Sequence, residues 1–190
     1  METLERCDLG TFSHYPILAA VVARTTGPVV ECGVGWGSTP LLHYLCRGRK
    51  LVSADMDERW LALWDGYRGG THTFQRVPHR QIVEGSSGVN EKIEAWVAFC
   101  SEIGKDLRPS VVFLDQAPGE ARVPCALALR PYVRFIVAHD LEADEPGGGG
   151  NYRWRDLDGV FKYHARSKRM GPWTGVYSDV EEFKIEDVDA

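Results

Sequence analysis

The stretch from Gly27 to Asp57 constrains the fold of this chain more than any other. It contains an apolar run, three glycines on alternate positions, a helical segment, a second apolar run and an acidic tip. This order predicts a strand, a glycine loop, a helix and a second strand, which together begin a parallel α/β sheet. Glycine lets a ligand lie against bare backbone, and the helix start offers unpaired N–H groups. The stretch therefore predicts a pocket for a nucleoside with a charged tail.

The spacing within the loop distinguishes it from the dinucleotide-binding fingerprint, which is G-x-G-x-x-G. Here the pattern is E-x-G-x-G-x-G, formed by Glu31, Gly33, Gly35 and Gly37. It resembles the first motif of class I S-adenosylmethionine (SAM)-dependent methyltransferases. The resemblance continues at Asp55, where that family places its ribose-binding acid, and it covers most of the chain. The alternative is a glycine-rich turn that closes an ordinary βαβ unit.

Length and composition limit the class of protein. The 190 residues suit one domain, since domains have roughly 100–200 residues. The net charge is −5, and nucleic-acid-binding domains usually carry a basic patch. We therefore expect no nucleic-acid partner. No apolar run approaches the roughly 20 residues of a membrane span, so we expect no membrane association.

Cysteine usage and the first residues bear on the cell compartment. The five cysteines include no C-x-x-C pair, and we expect them to be reduced and mostly buried. The N-terminus lacks a basic region followed by an apolar one, so it does not read as a signal peptide. Both features indicate a cytoplasmic protein.

Alternating strand and helix patterns predict a doubly wound, mostly parallel seven-stranded sheet. Helices should cover both faces, and the last two strands should form a C-terminal antiparallel hairpin. We predict strands at 29–32, 51–54, 110–114, 132–138, 160–164 and 174–178. The remaining strand fits either 73–77 or 80–84, and we prefer the second. Helices are expected at 15–26, 39–47, 58–65, 90–103 and 120–129.

One domain should span residues 1–190. Within it we expect a helical lid segment at 1–26, a cofactor-binding core at 27–140, and a loop with the C-terminal strands at 141–190. Because only 28 residues precede the first predicted strand, we expect no separate substrate domain. The acceptor should therefore be a small molecule. The exposed edge of the C-terminal hairpin would suit a homodimer.

The resemblance to class I methyltransferases implies a set of cofactor-binding residues for SAM. Glu31 should anchor the loop, the glycines should admit the methionine part, and Asp55 should hold the ribose. Trp36 either shields the sulfonium or packs on the first crossover helix. The whole expected set is Glu31, Gly33, Gly35, Trp36, Gly37, Asp55, Met56, Ser86 and Ser87.

Three polar residues follow two apolar strands and are the candidate catalytic residues. Asp115 ends one predicted strand, and His139 with Asp140 ends the next. If these strands are neighbours, the three side chains meet, because ligands bind beyond the carboxyl ends of parallel strands. His139 would then act as a general base on the acceptor. Alternatively, the three residues bind Mg²⁺ or Mn²⁺, which would lower the pKa of an acceptor hydroxyl.

The resemblance implies a methyltransferase that acts at oxygen or nitrogen of a small molecule. Two alternatives remain open: an enzyme that cleaves SAM or transfers its amino-acid tail, and a nucleoside-binding subunit without activity. Two further residues have interpretations of their own. We expect His14 to be a surface histidine, and Arg122 to pair with Glu120 or another nearby acid.

Overall fold

Strands and helices alternate along the chain up to the fifth strand, as the sequence predicts. The computed structural model describes residues 12–78, 88–147, 150 and 152–189. The strands, numbered in chain order, are β1 (Val29–Cys32), β2 (Leu51–Asp55), β3 (His72–Arg76), β4 (Val111–Leu114), β5 (Phe135–Ala138), β6 (Tyr163–Ser167) and β7 (Thr174–Ser178). The helices are α1 (Tyr15–Ala23), α2 (Ser38–Leu45), α3 (Glu58–Ala62), α4 (Val89–Leu107), α5 (Arg122–Leu129) and α6 (Glu186–Asp189).

The seven strands form one sheet in the order β3-β2-β1-β4-β5-β7-β6. All neighbours from β3 to β5 are parallel, and β7 is antiparallel to both β5 and β6. Cys32 is level with Ala54 on one side and Leu114 on the other, and Leu114 is level with Ala138. The strands β1, β2, β4 and β5 therefore end together, so the residues that follow them share one edge.

Helices cover both faces of the sheet. Trp96 of α4 and Leu129 of α5 are buried against one face, and Leu18 of α1 and Leu42 of α2 against the other. Because β4 and β5 are buried on both faces, they read as continuous apolar runs, whereas the equally buried β1 contains Glu31. None of the described helices is both long and apolar enough to cross a membrane.

Strand β3 covers His72–Arg76, close to the alternative range 73–77. The preferred range, 80–84, lies entirely outside the described residues. In β3 the side chains of His72 and Phe74 are buried and that of Thr73 is exposed, which is the alternation of a half-buried strand. His72 Nε2 lies 2.9 Å from Ser53 Oγ of β2, so a polar contact lies within this pairing.

The sixth strand begins three residues later than the predicted range 160–164. The preceding residues form a turn instead: Trp154–Leu157 is a 3-10 helix, and the Val160 N–H donates to the Leu157 carbonyl. Gly159 has a φ of +76°, which is a turn conformation. The chain can therefore enter the sheet only after this turn. The antiparallel C-terminal hairpin itself is confirmed.

Candidate active site

Glu31 holds the glycine loop from beneath. Its side chain is fully buried, and its two carboxylate oxygens accept hydrogen bonds from Thr39 Oγ1 at 3.0 and 3.1 Å. Ser53 Oγ also donates to it, at 2.5 Å. Thr39 Oγ1 in turn accepts from the Gly35 N–H at 3.0 Å. Burial raises the pKa of Glu31 to about 7. Glu31 thus fixes the loop through Thr39 and has no surface of its own for a ligand.

Gly33 lets the end of β1 pass against the end of β4. Its φ is +90°, and a Cβ at this position would lie 2.7 Å from backbone atoms of Asp115 and Gln116. Gly35 has no such restriction, because its nearest contact would be Ser38 Oγ at 3.8 Å. The carbonyl of Gly37 accepts a hydrogen bond from the Tyr15 hydroxyl at 2.8 Å. The loop is therefore tied both to the sheet and to the start of α1.

Asp55 ends β2 with its carboxylate fixed by two backbone N–H groups. Oδ2 accepts from Val34 at 3.1 Å, and Oδ1 accepts from Asp57 at 2.8 Å. Partial burial raises the pKa of Asp55 above its usual value. Each carboxylate oxygen has a second lone pair, so Asp55 can still accept two hydrogen bonds from a ligand diol.

A cleft of about 760 Å³ opens at this edge of the sheet. That volume lies within the range of ligand sites, roughly 300–1,000 Å³. Among the predicted site residues, those that line it are Gly33, Asp55, Met56 and Asp115. Val34, Ala117 and Pro118 add backbone and apolar surface.

The other predicted cofactor residues lie beside the cleft or outside the described part. Gly35, Trp36 and Gly37 belong to the loop next to it. Trp36 is 44% exposed and packs edge-on against Trp60 and Trp64, at ring distances of 6.4 and 5.2 Å. It therefore packs on α3 and the turn after it, which neither interpretation anticipated. Ser86 and Ser87 lie outside the described residues.

Asp115, His139 and Asp140 come together, as their positions at the strand ends predict. Their candidate ligand atoms all lie within 4.8 Å of one another. Arg122, the first residue of α5, enters the same cluster. Its guanidinium lies 3.0 Å from Asp115 Oδ1 and 2.7 Å from Asp140 Oδ2. The acids that pair with Arg122 are thus two of the site residues, where the sequence predicted Glu120 or another nearby acid.

His139 is a hydrogen-bond donor at both ring nitrogens. Ser13 Oγ donates its one hydrogen to the Pro172 carbonyl at 2.7 Å, so it must accept from His139 Nε2 at 2.9 Å. Nδ1 faces Asp115 Oδ1 at 3.3 Å and Asp140 Oδ1 at 3.5 Å. Burial alone would lower the pKa of His139, but the hydrogen bond and charge of Asp115 raise it.

The imidazole of His139 therefore has no free lone pair with which to take a proton. To act as the general base predicted from the sequence, His139 would therefore have to give up one of these contacts. In this arrangement His139 holds Asp115 in place. Burial opposes ionisation of Asp115, yet the hydrogen bond from His139 and the charge of Arg122 hold the pKa of Asp115 below its usual value.

His14 is buried, so its interpretation as a surface histidine was wrong. It is 2% exposed, and its ring lies 4.8 Å from the rings of both Phe113 and His139. Burial, and then the charge of His139, lower the pKa of His14 to about 3. Neither ring nitrogen has a hydrogen-bond partner among the described residues. The apolar helix that follows, Tyr15–Ala23, was the sequence signal for this burial.

Tyr152 packs against this cluster. Its ring lies over the Arg122 guanidinium, 4.9 Å from it. A Cβ on Gly119 would collide with the ring, so this glycine makes room for the tyrosine. Nothing in the local sequence pattern links Tyr152 to Arg122.

Comparison with known proteins identifies the fold. No family model matches the sequence, and no curated protein matches it either. A Staphylococcus aureus protein assigned as a caffeoyl-CoA O-methyltransferase aligns with a TM-score of 0.56 and 8% identity, over 85% of this chain and 81% of that chain. The bifunctional kinase-methyltransferase WbdD aligns with a TM-score of 0.53 and 12% identity, over 86% of this chain and 38% of that chain.

The chain spans only 32% of the MycE methyltransferase of mycinamycin biosynthesis, at 14% identity and a TM-score of 0.45. The strand order and the two better alignments give this chain the fold of class I SAM-dependent methyltransferases. The resemblance in sequence is thus confirmed in the fold. At these identities the alignments establish the fold alone, so the activity has to be argued from the site.

Proposed function

We propose that this protein is a SAM-dependent methyltransferase that methylates an oxygen or nitrogen of a small molecule. The observation that carries the proposal is the meeting of Gly33, Asp55 and Asp115 in one cleft at the carboxyl ends of β1, β2 and β4. In open α/β sheets this edge is where ligands bind.

The residues of the cleft fit SAM as a cofactor. Asp55 would hold the two ribose hydroxyls, because each of its oxygens keeps a free lone pair after its backbone hydrogen bond. Gly33 would leave the methionine part in contact with backbone, and Met56 adds apolar surface beside Asp55. When bound, SAM supplies an electrophilic methyl group on a sulfonium.

Asp115 is the residue that we propose contacts the acceptor. It lines the cleft, and its side chain is 26% exposed while Arg122 and His139 hold it from behind. A carboxylate with a lowered pKa accepts a hydrogen bond without keeping the proton. Asp115 would therefore orient an acceptor O–H or N–H so that its lone pair faces the methyl group, and the proton that the acceptor loses on methylation would pass by way of Asp115 to water. Such positioning can supply several kcal/mol of the barrier reduction.

The proposal is tested first by titration calorimetry with SAM and S-adenosylhomocysteine. We expect both to bind, because they share the ribose and the amino-acid tail. Incubation with SAM and a panel of small phenols and amines should then yield S-adenosylhomocysteine. Methylthioadenosine as the product would indicate cleavage or tail transfer instead. Binding without turnover would support a non-catalytic subunit, and absence of binding would overturn the cofactor assignment.

A further inference from the structure

We infer that Arg122 takes the place of a divalent cation in the acceptor site, so that the carboxylates of Asp115 and Asp140 are neutralised from within the chain. This inference rests on the proposed function for its meaning, but the geometry behind it stands apart from SAM. The residues involved are the three predicted metal ligands, Asp115, His139 and Asp140.

The guanidinium already bridges the two carboxylates that a metal would have to share. One nitrogen lies 3.0 Å from Asp115 Oδ1, and another lies 2.7 Å from Asp140 Oδ2. The donors of guanidinium have a fixed planar geometry that suits two acceptors at once, and the group stays charged at all relevant pH values. A cation bridging these acids would therefore have to displace Arg122.

Arg122 is held too firmly to be displaced at small cost. Its side chain is only 6% exposed. Nε donates to the Gln116 carbonyl at 3.0 Å, and an Nη donates to the His139 carbonyl at 3.0 Å. The ring of Tyr152 lies over the guanidinium. If Arg122 swung away, these carbonyls and a buried charge would lose their partners, which is costly in a protein interior.

Charge leads to the same conclusion. The two carboxylates carry two negative charges, while Arg122 supplies one fixed positive charge and His139, a donor at both ring nitrogens, supplies another. A divalent ion at this point would place two more positive charges within a few ångströms of the guanidinium, where like charges repel strongly. The three predicted ligands are thus close enough for a metal, but with Arg122 in place they do not fit one.

With Arg122 between them, Asp115 and Asp140 do not serve as metal ligands. A metal would bind the acceptor through its own free coordination positions, whereas Arg122 leaves the exposed part of Asp115 available to the acceptor directly. Arg122 is therefore a positioning residue, because it acts on the acceptor through Asp115. Methyl transfer by this site should need no added divalent ion.

The test is a Mn²⁺ titration followed by the electron paramagnetic resonance signal of the free ion. We expect the signal of free Mn²⁺ to stay unchanged when wild-type protein is added, even when the protein is in molar excess over Mn²⁺. Arg122→Gln removes the charge and exposes both carboxylates, so it should bind Mn²⁺ at least tenfold more tightly than wild type. Arg122→Lys, which keeps a positive charge, is the matched control and should not gain binding.

Tight Mn²⁺ binding by wild type that is lost in Asp115→Asn would overturn the inference, and this comparison does not require Arg122→Gln to fold. Equal binding by wild type and folded Arg122→Gln would overturn it as well. The SAM titration gives an independent result. Failure of SAM to bind would remove the proposed function, whereas the Mn²⁺ result bears only on Arg122.

Discussion

Asp55 is the single residue on which SAM binding should depend most. Its carboxylate is held toward the cleft by the Val34 and Asp57 N–H groups. In Asp55→Ala the ribose loses both acceptors and the loop loses a tether. We expect at least a tenfold loss of SAM affinity, or about 1.4 kcal/mol, measured by calorimetry.

The matched control for Asp55→Ala is Asp65→Asn. Asp65 is an exposed acid that pairs with Arg68, away from the cleft. Its loss should leave SAM affinity unchanged. If both variants lost SAM affinity equally, the loss in Asp55→Ala would come from the change in net charge. That result would contradict the proposed contact between Asp55 and the ribose.

His14 gives a prediction about stability. Its two ring nitrogens are buried without a hydrogen-bond partner among the described residues, and each such group costs roughly 1–3 kcal/mol. Phenylalanine can keep the ring contacts with Phe113 and His139. We expect His14→Phe to raise the free energy of unfolding by about 1 kcal/mol at pH 8, measured by urea denaturation. A loss of stability would mean that these nitrogens do have a partner in solution.

The sequence could identify Asp115, His139 and Asp140 because each directly follows an apolar strand. It could not assign their states. The proton on His139 depends on Ser13, 126 positions away in the chain, and on the Pro172 carbonyl. The ionisation of the two acids depends on Arg122, which α5 places between them. Such partners follow from tertiary packing, and no local pattern encodes them.

At the scale of elements, the glycine loop makes the sharpest prediction. Gly33→Ala puts a Cβ into the backbone of Asp115 and Gln116 and requires a φ of +90° that alanine rarely adopts. We expect a loss of about 3 kcal/mol or more in unfolding free energy. Gly35→Ala is the matched variant, because it meets only Ser38 Oγ at 3.8 Å.

Thermal unfolding followed by circular dichroism would compare the two variants. Gly35→Ala should keep a melting temperature close to that of wild type, whereas Gly33→Ala should melt several degrees lower. Equal melting temperatures for Gly33→Ala and wild type would contradict the close approach of β1 and β4.

Most of the strands buried on both faces were located closely from the sequence, although β1 contains Glu31 and β7 contains polar residues at both ends. β1 and β7 match their predicted ranges and β4 differs by one residue, whereas β5 begins three residues later than its predicted range 132–138. β3 lies at an edge of the sheet, where one side of the strand is exposed and the pattern is weaker. The sequence therefore left two candidate ranges there. β6, at the other edge, was displaced for the same reason and by the turn at Gly159.

For the whole molecule, the level ends of β1, β2, β4 and β5 explain why widely separated motifs form one site. This could be predicted from the α/β alternation, since parallel strands must all end at the same edge. The balance of charges within the site could not be predicted from the sequence. It depends on α5 and on the segment before α1, whose packing distances only the folded chain defines.

Three buried groups link the stability of the whole molecule to pH. Burial, and then a neighbouring histidine charge, lower the pKa of His14 to about 3 and that of His72 to about 4. In the unfolded chain both titrate near 6.5. Below about pH 6.5 these two histidines are protonated in the unfolded state but stay neutral in the native state, so acidification destabilises the fold. Glu31 has the opposite effect. Between its unfolded pKa and about pH 7 its carboxyl is protonated in the native state and ionised in the unfolded state, so acidification through this range stabilises the fold.

Two histidines outweigh one carboxyl, so the free energy of unfolding should fall from pH 6 to pH 5 by about 1 kcal/mol. His14→Phe isolates one of the three groups. Its stability advantage over wild type should grow on acidification, by up to about 1.4 kcal/mol per pH unit below pH 6.5, because wild type alone pulls a proton onto His14 when it unfolds. Urea denaturation of both proteins at pH 8, 6.5, 5.5 and 5 measures this difference directly. An advantage that stays constant with pH would mean that His14 titrates normally in the native state and is therefore in contact with water.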